Sequence, residues 1–289
     1  MCNNNVVKIH SLADFFKEIK VLRMQKDFPL ENQIYYRGHA SINWKMQPFL
    51  FRDRGWWTQE WELYDKSQIH FPEIFRDCKT QLERIVTMQH CSMATRLFDV
   101  TKNPLVALYF ACLDSKNCKD NKDGVVFYTI QTEKPLEYAQ VVTDLFMLLI
   151  KPKYPHNVTM DAFKENDLND YYQKLNYSVS FNIILELLHQ PFLFQPVHNN
   201  ERIKAQQGAM IYSNIFEKKD DNYILQRENV LLNDFFEKKY FVIPYSSKKD
   251  ILEELSLCGI NEATLFPDAE HKLSWLRDTY KNPQKGFFE

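Results

Sequence analysis

Three short polar clusters, each beside a strongly apolar segment, hold the residues of this 289-residue chain that could do chemistry. In the first cluster, Arg37 and Gly38 end an aromatic segment. An arginine guanidinium presents a planar fork of donors that suits a phosphate or a carboxylate, and a glycine lets a ligand or another backbone approach closely. The alternative is an arginine held structurally by an acidic side chain, and this cluster taken alone favours that alternative.

The second cluster is denser and occupies residues 89–104, immediately before an apolar segment. His90 is a candidate acid or base because a histidine titrates near neutral pH. We expect a function for His90 and for Arg96. For Asp99 and Asn103 a structural explanation is at least as good, since both can accept hydrogen bonds from backbone N–H groups in a polar loop. We therefore predict that this segment is a loop.

The third cluster runs from Glu201 to Gly208 and contains Arg202, Gln206 and Gln207 just before a predicted strand. Long polar side chains at this position can line the mouth of a sheet, although a solvated loop explains the cluster equally well. Three separate clusters that each contain arginine favour an anionic ligand more than any one of them does.

The composition excludes several classes of site. The six glycines are isolated from one another, whereas the P-loop and the dinucleotide-binding fingerprint need glycines close together. The net charge of −2 gives no general attraction to nucleic acid or to an anionic membrane. No cysteine or histidine pair has the spacing of zinc ligands, so we predict no metal.

Cysteine usage and hydropathy indicate the compartment. The six cysteines are scattered, as is typical of free thiols in a reducing environment. The longest apolar stretches are too short to cross a bilayer, and the N-terminal residues do not resemble a secretion signal. We therefore predict a cytoplasmic protein without a membrane partner.

Helix and strand signals alternate irregularly along the chain. Strands are predicted at residues 33–38, 124–130, 191–194, 208–214 and 239–244. Ser11 and Ser247 each precede an acidic residue three positions later, which predicts two helix N-caps. Asn103 followed by Pro104 predicts the start of a buried helix that is apolar nearly all round. Strands scattered among helices without regular alternation favour an α+β fold.

The same pattern divides the chain into regions. We predict an N-terminal helix within residues 1–30, one domain over residues 31–280, and a short tail at 281–289. The stretch 131–190 is mostly helical in pattern, so we interpret it as a helical insertion between two strands of the sheet.

The three clusters together resemble the FRG domain family, which is named for an aromatic-Arg-Gly signature. That signature is Tyr36–Gly38 in this chain. The segment Gln89–Pro104 resembles the family's Q-H-x-G-x-x-T-R-L-L-D-W-T-x-N-P motif, and Ala107–Ala111 follows it as Ala-Leu-Tyr-Phe-Ala. Arg202–Gly208 resembles the R-I-x-x-Q-x-G segment. The resemblance covers about residues 30–275.

A looser similarity links the clusters to ADP-ribosyltransferases. In those enzymes an arginine after an aromatic holds the NAD pyrophosphate, a small polar motif and a stacking aromatic follow, and a Glu or Gln lies on a late strand. The positions that correspond here are Arg37, Thr95, Tyr109 or Phe110, and Gln206 or Gln207. This similarity implies a mixed, split β-sheet flanked by helices, with NAD as the cofactor. Glutamine stands where the catalytic glutamate would be expected.

The resemblances imply an NAD-dependent ADP-ribosyltransferase-like enzyme in a bacterial toxin or phage-defence system, with a nucleic acid or a protein as acceptor. The alternative is a non-catalytic module that binds nucleic acid, a nucleotide or a protein through the same arginines. The residues predicted to act in catalysis are His90, Gln206 and Gln207. The residues predicted to bind NAD are Arg37, Gly38, Thr95, Arg96, Tyr109, Phe110 and Arg202. We predict that Arg37, His90, Thr95, Arg96 and Gln206 converge on one cleft.

Overall fold

The computed structural model describes residues 6–24, 33–113, 121–151, 181–197, 200–219, 222–225, 231–237 and 239–267. The α-helices in these ranges are α1 (Leu12–Arg23), α2 (Arg54–Thr58), α3 (Glu60–His70), α4 (Gln81–His90), α5 (Pro104–Cys112), α6 (Leu136–Leu149), α7 (Phe181–His189), α8 (Glu201–Ala205), α9 (Lys248–Leu257) and α10 (Glu262–Leu265). The strands are β1 (Gln33–His39), β2 (Leu97–Thr101), β3 (Gly124–Gln131), β4 (Phe192–Phe194), β5 (Gly208–Tyr212), β6 (Phe216–Lys219), β7 (Asn222–Leu225) and β8 (Tyr240–Ile243). The predicted α+β class is confirmed.

Six of these strands form one sheet in the order β4-β5-β2-β1-β3-β8, and β6 and β7 form a separate hairpin. Every neighbouring pair in the large sheet is antiparallel. The expectation of a mixed sheet was therefore wrong for the strands described. Parallel pairing there is limited to two isolated bridges, Lys8 with Val242 and Lys134 with Phe194.

The sheet is nearly divided between β1 and β2. Although both strands are described throughout, they share one register pair, Tyr36 with Thr101. By contrast, β1 pairs with β3 along its whole length from Gln33 to His39, and β2 pairs with β5 from Leu97 to Thr101. The sheet is thus two three-stranded halves that touch at one point.

Helix α5 packs directly on the face of β1 and β3. A Cβ atom on Gly38 would lie 1.9 Å from the carbonyl oxygen of Ala107, and one on Gly124 would lie 2.1 Å from that of Ala111. The predicted buried helix is confirmed, because Leu108 is 0% exposed and the Asn103 side chain accepts a hydrogen bond from the Leu105 N–H. Glycine at positions 38 and 124 is therefore what allows this close contact.

The two predicted serine caps have different outcomes. The Ser11 hydroxyl accepts a hydrogen bond from the Asp14 N–H and caps α1, as predicted. Ser247 makes no such bond to the first turn of α9, so that prediction was wrong. The Ser247 hydroxyl instead lies 3.2 Å from His10 Nδ1, which ties the start of α9 to the N-terminal segment.

Several regional predictions stay predictions. Helix α1 lies within residues 1–30, and α6 and α7 lie within the segment 131–190. Residues 152–180 of the predicted insertion and the predicted tail at 281–289 lie outside the described residues. Within the described ranges, the helices fall short of the length and apolar character that a membrane span requires.

We predict that Gly38→Ala destabilises the protein by about 3 kcal/mol or more, at the upper end of the cost of overpacking, because the added methyl group would collide with the backbone of α5. Gly208→Ala is the matched control, since its nearest neighbour would lie at an ordinary 3.5 Å from the new Cβ. The control should change the free energy of unfolding by less than about 1 kcal/mol. Urea denaturation measures both, and equal losses would contradict the packing argument.

Candidate functional site

A cavity of about 330 Å³ lies where the two halves of the sheet separate. Its walls come from β1, β2 and β5, and it is bordered by α5, α8 and His90 at the end of α4. This volume falls at the lower end of the range of about 300–1,000 Å³ that is typical of small-molecule sites. The wall combines apolar side chains from α5 with charged and polar groups from the strands.

Arg37 reaches across the separation between the strands. Its Nη1 donates a hydrogen bond of 2.9 Å to the main-chain carbonyl of Asp99, and its guanidinium carbon lies 4.6 Å from the centre of the Phe98 ring. Burial lowers the pKa of Arg37, and the nearby charge of Asp99 opposes this effect. Among the described residues no carboxylate forms an ion pair with Arg37, so the structural ion pair considered as an alternative does not occur within them.

His90 is the last residue of α4, a helix that begins with a capping box between Thr80 and Glu83. Its Nε2 is buried and has no hydrogen-bond partner in the part of the chain that the structure describes. Burial lowers the pKa of His90; the charge of Asp99 works against that shift, while Arg202 adds to it. The lowered pKa favours the neutral imidazole, which can accept a proton.

Asp99 is a candidate that the sequence left open between a structural and a functional role. The segment predicted as a loop contains strand β2, and Asp99 lies in the middle of it and lines the cavity. Gln89 Nε2 donates a hydrogen bond of 3.0 Å to Asp99 Oδ2. Leu97, Asp99 and Thr101 alternate with apolar residues, and such alternation indicates a strand. The sequence nevertheless resembles that of a loop, because Asp99 and Thr101 are polar.

The third cluster closes one side of the cavity. Arg202 and Gln206 both line it, and the Arg202 guanidinium carbon lies 4.7 Å from the centre of the Phe266 ring. Phe110 of α5 also lines the cavity and meets Phe266 edge to face at 6.0 Å between ring centres. The Gln206 amide donates a hydrogen bond of 3.0 Å to the Leu265 carbonyl, so that side chain is anchored to α10.

The structure brings together six of the ten predicted site residues at this cavity, namely Arg37, Gly38, His90, Phe110, Arg202 and Gln206. The other four, Thr95, Arg96, Tyr109 and Gln207, do not line it. Tyr109 packs into the apolar core beneath α5. Gln207 has a φ of +45° in the turn before β5, and its carbonyl accepts a hydrogen bond from the Lys102 N–H.

The predicted convergence of Thr95 and Arg96 with Arg37 was wrong. Arg96 is 2% exposed and forms a two-pronged ion pair with Glu60, with Nε–Oε1 and Nη2–Oε2 distances of 2.8 and 2.7 Å. Its guanidinium carbon also lies 4.1 Å from the centre of the Phe146 ring. The Thr95 hydroxyl donates to the Gln89 amide oxygen. Both side chains are therefore engaged by the protein itself.

The comparison with known families bears on this same region. Residues 32–120 match the model of the FRG domain. This segment is an FRG domain. It contains Arg37, His90, Asp99 and Phe110 of the cavity wall, whereas Arg202 and Gln206 come from the chain beyond it. No curated protein and no solved structure matches the chain. Within the ranges described, no three His, Cys, Asp or Glu residues cluster so that they could hold a metal ion.

A second histidine near the FRG domain's arginine gives the fold a pH dependence. His39 is 1% exposed and lies among the rings of Trp44, Phe98 and Phe127. Burial, with the charges of Arg37 and Arg52, lowers the pKa of His39 well below its usual value. The unfolded chain therefore binds more protons below about pH 6.5, and stability is lost as the pH falls.

We expect the free energy of unfolding to fall more steeply between pH 7.5 and pH 5.5 in the wild type than in His39→Phe. At pH 5.5 the loss of stability in the wild type should exceed the loss in His39→Phe by about 1.4 kcal/mol. This is the free energy gained when the unfolded chain binds one proton with a pKa near 6.5. Urea denaturation at each pH measures it. His70→Phe, at an exposed position, is the control and should keep the wild-type slope. Identical slopes in all three proteins would contradict the assignment.

Proposed function

We propose that the FRG domain of this protein binds NAD at the cavity and acts as an ADP-ribosyltransferase-like enzyme. One observation carries the proposal: two guanidinium groups, an imidazole and a carboxyl group meet at one partly apolar cavity. These groups are Arg37, Arg202, His90 and Asp99. Convergence of polar groups with a perturbed pKa in a concave site is the usual mark of a ligand-binding or catalytic centre.

The two arginines fit the pyrophosphate of a dinucleotide. Arg37 uses one of its five N–H donors on the Asp99 carbonyl, which leaves donors for phosphate oxygens. Arg202 rests on the Phe266 ring, and a ring beneath a guanidinium holds its plane without consuming its donors. Arginines held in this way are suited to two-pronged contacts with phosphate.

The remaining wall fits the other half of the ligand. The Phe110 ring and the apolar side chains of Val106 and Leu113 offer a surface against which a nicotinamide ring can stack. A volume of about 330 Å³ is small for a whole dinucleotide. We therefore propose that the nicotinamide and its ribose are enclosed, and that the adenosine half extends beyond the cavity.

The reaction would begin with cleavage of the bond between ribose C1′ and the nicotinamide nitrogen. The bonding electron pair leaves with nicotinamide, and positive charge develops on the ribose. An acceptor nucleophile then attacks C1′ and gives up its proton, for which the buried Nε2 of neutral His90 is the proposed base. Fixed dipoles and charges around the ribose lower the barrier because they need no reorganisation during the reaction.

A transferase of this kind would modify a macromolecule. We propose a nucleic acid or a protein as the acceptor, and a bacterial toxin or phage-defence system as the setting. The net charge of −2 means that a nucleic-acid acceptor would be held by a local patch of charge rather than by the overall field of the protein.

A second candidate function is binding of an anionic nucleotide without transfer. It is favoured by the state of Gln206, whose amide is tied to the Leu265 carbonyl at the position where a transferase would be expected to carry a free glutamate. In that case Arg37 and Arg202 act as phosphate anchors.

Incubation of the pure protein with millimolar NAD distinguishes these functions. Release of nicotinamide, measured by liquid chromatography, supports the transferase. Binding of NAD by calorimetry without release supports the binding module. The absence of both rules out NAD as the ligand.

We predict that Arg37→Lys weakens NAD binding ten- to hundredfold although the charge is kept, because lysine lacks the planar fork; the loss corresponds to about 1.5–3 kcal/mol. Arg96→Lys is the matched control, since it makes the same change at the Glu60 ion pair away from the cavity. This control should lower the melting temperature and leave NAD affinity unchanged in the folded protein. Calorimetry and thermal melts of both variants test the prediction, and equal affinity in Arg37→Lys and the wild type would contradict it.

A further inference from the structure

Asp99 is the aspartate of the segment that resembles the family motif, and in the fold it lies in the wall of the cavity. It is the acidic residue of the cavity wall within the described part of the chain. Its strand, β2, lies at the centre of the sheet, immediately beside the separation from β1. A carboxylate placed at the centre of a sheet and half-buried costs desolvation energy, so a purely structural role would require partners that compensate it.

The partners of Asp99 fix its position without forming an ion pair to its carboxylate. Its main chain is held by pairing with Met210 on one side and by the Arg37 Nη1 contact at its carbonyl on the other. Its Oδ2 accepts a hydrogen bond from the Gln89 amide, which is a neutral donor. No ion pair to Asp99 occurs among the described residues. The carboxylate is therefore oriented and remains available to a ligand.

Gln89 is itself fixed by two further contacts. Its amide oxygen accepts the Thr95 hydroxyl, and its amide nitrogen also donates to the Leu97 carbonyl at 3.4 Å. These contacts set which end of the amide carries the N–H groups, so the donor faces the carboxylate. Thr95, Gln89 and Asp99 thus form a hydrogen-bonded chain that ends in the cavity, next to His90.

We propose that Asp99 is a catalytic residue whose carboxylate stabilises the positive charge on the ribose, and that Gln89 is the positioning residue that holds it. This inference rests on the proposed NAD chemistry. When the C1′–N bond breaks, its electron pair leaves with nicotinamide and the ribose cation faces the carboxylate. Water or an acceptor hydroxyl then forms the new C1′–O bond, and its proton passes to His90. No oxidant or reductant takes part.

The proposal accounts for the missing late-strand glutamate. In this chain the charge that offsets the ribose cation would come from the central strand β2. Gln206, the residue that corresponds to the glutamate in sequence, ends α8 instead of lying on a strand, and its side chain is bound to α10. The same negative charge also raises the pKa of His90 against the effect of burial. Asp99 would therefore have two effects: it would stabilise the ribose cation directly, and it would raise the pKa of His90, the proposed base.

The test compares Asp99→Asn with Asp250→Asn, in which the same change is made at an exposed position on α9. Asparagine keeps the size of the side chain and its acceptor oxygen for Gln89, so folding should be retained. We expect nicotinamide release to fall about 100-fold or more in Asp99→Asn, the scale seen when one preorganised electrostatic group is removed. NAD affinity by calorimetry should stay within about threefold of the wild type, and Asp250→Asn should match the wild type in both.

A second readout does not depend on turnover. Removal of the negative charge should lower the pKa of His90, which NMR titration of the histidine ring measures in wild type and Asp99→Asn. A merely structural aspartate that points away from His90 would leave that titration unchanged.

A variant of the positioning residue covers the case in which Asp99→Asn does not fold. Gln89→Met keeps the volume of the side chain but removes the donor to Asp99. We expect kcat to fall about tenfold with KM nearly unchanged, whereas a residue that only binds substrate would raise KM.

The outcomes separate this inference from the function on which it rests. Absence of nicotinamide release by the wild type overturns the proposed transferase and the catalytic role together. If the wild type releases nicotinamide and Asp99→Asn releases it equally fast, the role of Asp99 is overturned and the transferase stands. The same holds for Gln89→Met where that variant is used. An unshifted His90 titration in Asp99→Asn overturns the pairing of the two side chains.

Discussion

The separation between β1 and β2 is the constraint on which the rest of the structure depends. Two strands that share a single register pair cannot satisfy their facing backbone groups by a continuous ladder. The Arg37 side chain supplies a donor to the Asp99 carbonyl in place of a neighbouring backbone N–H. The cavity opens at the same place, because the side chains of two diverging strands cannot fill the space between them.

Other contacts hold the two halves of the sheet in this open arrangement. Helix α5 lies against β1 so closely that Gly38 has no room for a Cβ atom. On the other side of the separation, the Thr101 hydroxyl donates a hydrogen bond of 2.6 Å to the Gln206 carbonyl and fixes the end of α8 against β2. The cavity is therefore built from rigid elements, and a geometry held in this way suits charge stabilisation, which needs groups that do not rearrange.

Much of the fold could be predicted because its signals are local. The aromatic and β-branched run of β3 and the Asn103 cap of α5 have their causes within a few residues of themselves. The central strand β2 was missed because Asp99 and Thr101, two of the three residues on one of its faces, are polar, so the sequence does not show the apolar pattern of a buried strand. The role of Arg96 was missed because its partner, Glu60, lies 36 residues earlier and nothing in either segment indicates the pairing. Tertiary packing determines which distant residues pair with a charged side chain. The spacing of residues along the chain therefore does not predict such pairs.

The limits of the matched FRG segment have a consequence for how the protein can be divided. Residues 32–120 contain β1 and β2 but end before β3 and well before β5. A fragment cut at those limits would keep the one pair between β1 and β2 and lose the long ladders on their other sides. Two strands would then present unpaired edges, which favour association between chains over folding. The segment that carries the family signature is thus a unit of sequence, whereas the unit of folding includes the strands from later in the chain.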